Sequence, residues 1–179
     1  IGVYHVFENG VPVYGPGDLM LHGSFAIVIG AAVQAGVEVL VATPTGNMLQ
    51  GLGLGDPMLM PHAWASWTPQ RRVTLSASIG WGVMLGRMSD EMMMTIVDPM
   101  NESELEWKAA VDVAIGKGVH AQAHADGGVP IGEPGLDRVI GALRLGWGNR
   151  RVDAAAEVQT AFAGDPFHIR GLVETALHF

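Results

Sequence analysis

Between Val119 and Gly127 the chain alternates strictly: His120, Gln122, His124 and Asp126 are polar or titratable, and only alanines stand between them. A period of two marks an extended strand, in which residues i, i+2, i+4 and i+6 share one face. The segment therefore predicts a strand with a polar row on one side and a flat, closely packed alanine face on the other. Nowhere else do two imidazoles and a carboxylate converge so tightly.

The rest of the pattern reads as mixed. Two β-prone runs, 3–8 and 11–14, flank Asn9-Gly10, the dipeptide of a type I′ hairpin, and Pro12 makes the second run an edge. Residues 24–34 predict a short buried helix capped by Ser24 and stopped near Gly36, feeding a strand over 37–42. Residues 43–70, rich in glycine and proline, predict a long functional loop. The alternation over 73–79 predicts a half-buried strand continuing to about 85, and 92–97 a further strand. Helices are expected over 102–115, where Asn101 or Ser103 can cap and Glu102, Glu104 and Glu106 suit the dipole, and over 136–145, 153–162 and 165–177, with 127–135 as a loop. The expected fold is thus α/β or α+β: one layered domain over 1–179 with a mixed sheet, an N-terminal β-hairpin and several C-terminal helices.

Composition narrows the partners. No cysteine is present, which excludes disulfides, thiolate metal sites and a cysteine nucleophile. A net charge of −8 without any basic stripe argues against both nucleic acid and an anionic membrane as partners. Charged residues make up 16% of the chain, against about 25% in an average globular protein, while hydrophobic residues reach 49%. Surface hidden between subunits would resolve that shortage, so a homo-oligomer is expected. The most apolar stretch, 19–42, is interrupted by His22, Gln34 and Glu38 and divided at Gly36, so no membrane span is expected. The reading is a soluble, cytoplasmic protein, a trimmed signal peptide being left open.

Within that frame the polar row is the candidate site. His120, His124 and Asp126 are the candidate catalytic residues: His124 as acid or base, Asp126 orienting it, His120 and Gln122 holding a substrate oxygen. His120 and His124 are also candidate ligands for a divalent metal, which would need a third ligand from elsewhere. His62 and Trp64 can wall a pocket or plug a subunit interface, and Arg87 can pair with a substrate carboxylate. The methionines around 92–94 read as core or interface filling. The expected function is acid–base chemistry of hydrolase, lyase or isomerase type on a small-molecule metabolite. The alternative is a non-catalytic oligomeric assembly or regulatory subunit.

Overall fold

The computed structural model describes residues 3–8, 11–47, 50, 52–86, 101–132, 135–149, 152–164 and 169–177. The chain is built from β1 (Val3–Glu8), β2 (Val11–Pro16), β3 (Leu19–Val28), β4 (Val33–Thr43), β5 (Met58–Gln70), β6 (Val73–Met84), β7 (Ser103–Gly116), β8 (Val119–Pro130), β9 (Arg138–Gly148), β10 (Val152–Ala163) and β11 (Ile169–Leu177). β1 and β2 pair as an antiparallel hairpin, as expected, although Asn9 and Gly10 lie outside the described residues. β3 to β11 form one nine-stranded sheet in sequence order, every neighbouring pair antiparallel.

This overturns the α/β or α+β expectation. No α-helix occurs among the described residues, and the segments expected as helices over 24–34, 102–115, 136–145, 153–162 and 165–177 fall on strands or outside the described residues. β7 shows the physical reason. Asn101 and three glutamates resemble a helix start, but Leu105, Trp107, Ala109, Val111, Val113 and Ile115 alternate with Glu104, Glu106, Lys108, Ala110 and Asp112. Only a strand sends those two sets to opposite faces, and a two-sided sheet rewards the period of two over local capping cues. Asn101 instead ties two loops together: its amide donates to Glu104 Oε2 and the Leu136 carbonyl, and its carbonyl accepts from Leu136 N.

The expected long loop over 43–70 is half strand, since β5 begins at Met58 and carries both His62 and Trp64. The loop expected over 127–135 is likewise shortened, because β8 runs on to Pro130. The strands expected over 37–42 and 73–79 are present within β4 and β6. Residues 92–97 lie outside the described residues.

Connections differ by end. β3–β4, β5–β6, β7–β8 and β9–β10 are joined by short turns at 29–32, 71–72, 117–118 and 149–151. At the opposite end the connections are 44–57, 85–102, 131–137 and 164–168. The first of these is clasped by Asp18, whose two carboxylate oxygens accept from Gly46 N and Leu54 N at 2.7 Å each. That clasp seats Leu54 against Ala42, Met58 and Met60, the one buried apolar cluster among the described residues.

Candidate functional site

Register divides the nine strands into two faces, and burial follows the same division from β4 onward. On one lie Glu38, Met58, His62, Trp64, Ser76, Ser78, Glu104, Glu106, Lys108, Asp112, the polar row of β8, Arg138, Arg144, Glu157, Gln159 and Arg170. Adjacent residues on the other face are far more exposed. Val158 is 58% exposed beside Glu157 at 6%, and Leu143 is 68% exposed beside Ala142 at 7%. Side chains on the first face meet over an intervening strand: His62 on β5 bonds Glu106 on β7, and His124 on β8 comes within 3.8 Å of Glu157 on β10. The lower exposure of the polar face, with side chains meeting over intervening strands, is what the inner side of a curled sheet shows, and this face is taken as the concave one.

The convex face has an unusual composition. Its positions in β3 to β11 hold leucine, valine, isoleucine, alanine, tryptophan and phenylalanine, with a few Gly, Pro, Ser and Thr, and no Asp, Glu, Lys, Arg or His. Phe25, Ile27, Val37, Ile79, Leu145, Ile169 and Val173 are among its exposed members. The convex tryptophans stand toward the strand ends: Trp67 and Trp147 toward the short turns, Trp81 and Trp107 toward the longer connections. The chain exposes 11341 Å², whereas a compact chain of its mass would expose about 8,300 Å².

The concave face carries several polar clusters. Gln122 Nε2 donates to Asp112 Oδ1 at 2.8 Å, which turns its Oε1 toward His124 Nδ1 at 3.1 Å. Beyond the ring, His124 Nε2 lies 3.3 Å from Asp126 Oδ1 and 3.8 Å from Glu157 Oε1. Glu157 in turn faces Arg144 Nη1 at 3.6 Å and accepts from Gln159 Nε2 at 2.5 Å, and Gln159 Oε1 accepts from Arg170. Toward the longer connections, Glu104 is fully buried and bonded to Arg138. Near the middle, His62 Nε2 meets Glu106 Oε2 at 2.6 Å. This hydrogen bond and the charges of Glu106 and Glu38 raise the His62 pKa above the usual histidine value, against the opposing pull of burial.

Of the residues singled out from sequence, Gln122, His124 and Asp126 come together, and His62 and Trp64 share the same concave face two strands or more away. His120 stands apart from them, its ring lying across Gly146 of β9. Arg87 lies outside the described residues. No group of three metal-ligating side chains occurs among the described residues. Sequence reading missed Glu157, Glu104, Glu106, Asp112 and Lys108: alternation in β7 groups its four on one face, and strand order brings them and Glu157 to the side of the β8 row. No protein-family model matches the chain, and no curated protein matches it. No helix among the described residues is long and apolar enough to cross a membrane.

Proposed function

We propose that β3 to β11 form the wall of a membrane-spanning β-barrel, with the convex face against lipid and the concave face lining a water-filled path for small polar solutes. The observation that carries this reading is the segregation itself: all the charge borne by the nine strands lies on one face, and the other is uncharged and dominated by apolar side chains. In water such a face would be an interaction or aggregation surface; in a bilayer it is the required one. Strands of 9 to 14 residues match the about 9–11 tilted residues that cross a hydrocarbon core. Short turns at one end, longer connections at the other and tryptophans toward both ends fit the same architecture. The low charge content that suggested a homo-oligomer is then explained by lipid contact; the expectation of no membrane partner followed from the missing basic stripe and the interrupted apolar stretch, neither of which bears on strands that cross a bilayer. This reading places the protein in a membrane and not in the cytoplasm.

The test is flotation. Full-length protein refolded into phosphatidylcholine vesicles should rise with them through a density gradient, resist extraction by alkaline carbonate and keep a β-type circular dichroism spectrum. Protein that stays at the bottom of the gradient as a folded species would overturn the proposal.

A second reading keeps the acid–base enzyme, supported by the His124–Asp126–Glu157 contact, with the His124 side chain only 4% exposed. It requires turnover of a small metabolite that a His120→Ala/His124→Ala double variant loses while retaining its fold.

A further inference from the structure

We infer that the concave face carries a binding site for a small zwitterion, a carboxylate joined to an ammonium group, between β4 and β7. A cleft of about 200 Å³ is lined by Glu38, Trp64, Ser76, Ser78 and Lys108. Its size suits a metabolite smaller than the ligands of ordinary drug-sized pockets. Three chemistries meet there, and each finds a counterpart in a zwitterion.

Lys108 supplies the first. Arg138 is bonded to Glu104, Arg144 faces Glu157, and Arg170 is bonded to Gln159. Lys108 alone among the concave-face cations makes no hydrogen bond or ion pair among the described residues. Asp126, opposite it in register, is taken up with His124. An ammonium beside two serine hydroxyls can receive a carboxylate through charge-assisted hydrogen bonds.

Trp64 and Glu38 supply the other end. The Trp64 ring lies against Gly36 of β4, where any Cβ would overlap it, so glycine is what lets the indole pack against the wall and line the cleft. An indole face attracts a cation, most strongly a desolvated quaternary ammonium. Glu38, held at 3.0 Å from His22 Nε2, adds negative charge on the same side. Acid and indole on one side and base and hydroxyls on the other favour a dipolar ligand over a simple anion or cation.

The inference rests on the proposed reading only in that the concave face must be open to water, and one set of samples tests the two separately. Full-length protein in vesicles is titrated calorimetrically with glycine betaine, acetate and tetramethylammonium, and each sample is also floated. Glycine betaine should bind more tightly than either fragment. Lys108→Met should weaken glycine betaine and acetate about tenfold or more, as expected for a lost charge-assisted contact, and leave tetramethylammonium unchanged. Trp64→Leu should weaken glycine betaine and tetramethylammonium and spare acetate, and Lys108→Arg should restore most of the acetate affinity. Floating protein that binds no glycine betaine, or binds it equally in all variants, overturns the site while leaving the membrane wall standing. Protein that binds glycine betaine with this pattern but does not float upholds the site and overturns the wall.

Discussion

His62 on β5 and Glu106 on β7 meet at 2.6 Å across the strand between them, and the imidazole lies over Gly80 of that strand. A Cβ at position 80 would overlap the ring. Glycine on β6 therefore lets a histidine lie down along the wall and reach a carboxylate two strands away. The pair joins the β4–β6 half of the concave face to the β7–β10 half.

Because Glu106 raises the His62 pKa, the pair stabilises the fold through the protonated ring. That contribution is fully present below the ordinary histidine value of about 6.5 and fades as pH rises through the raised folded value. Unfolding in detergent micelles should show stability falling with pH across this window. Glu106→Gln should flatten the dependence there and leave stability on the alkaline side nearly unchanged. An unaltered pH profile in Glu106→Gln would refute the role given to the pair.

The lipid-facing assignment makes a sharp claim about Leu143, halfway along β9 and 68% exposed. On a water-facing surface, Leu143→Arg would change stability by less than about 0.5 kcal/mol. At the midplane of a bilayer it should cost about 2–4 kcal/mol. Ala114→Arg, on the concave face of β7, should cost little in the same vesicles. Equal, small effects for both substitutions would remove the case for lipid on the convex side.

Glu104 and Arg138 form a buried ion pair, with no exposure at the carboxylate. Glu104→Leu leaves the guanidinium buried without its counter-charge and should destabilise by about 3–5 kcal/mol. In the double variant Glu104→Leu/Arg138→Met both charges are gone, and much of the loss should be recovered. Equal instability of the single and double variants would mean that the apolar replacement, and not the orphaned charge, is what the site rejects.

How far these features were legible in the sequence depends on how each segment advertises its period. The β8 row could be read because alanine fills every alternate place, leaving one interpretation. β6 was legible through Val73, Leu75, Ala77 and Ile79 against Thr74, Ser76 and Ser78. β10 was not, because Ala154, Ala155 and Ala156 are apolar on both faces and alanine is the strongest helix former. β7 alternates as cleanly as β8, yet acidic residues near its start imitate a helix dipole pattern. The concave network was half visible: neighbours two and four apart on β8 follow from periodicity, whereas Glu157, Arg144 and Glu106 enter through strand order, which no single segment encodes. The apolar face was present as composition and was assigned to subunit contacts, since a shortage of charge alone does not say which solvent meets the surface.

The clasp at Asp18 yields the last prediction. Its two oxygens hold Gly46 N and Leu54 N, so the connection over 44–57 is drawn in at the end of the concave face and places Leu54 on Met58 and Met60. An ionised acceptor bonded to two backbone donors is worth more than two neutral hydrogen bonds. Asp18→Ala should release this connection without unfolding the sheet, because none of the nine strands depends on it for pairing. Protease cleavage within 44–57 should then speed up about tenfold or more, in line with the loss of one or both bonds. Asp18→Asn, which keeps one acceptor oxygen, should fall between. If cleavage is as slow in Asp18→Ala as in the unaltered chain, the segment is held by its leucines and not by the carboxylate.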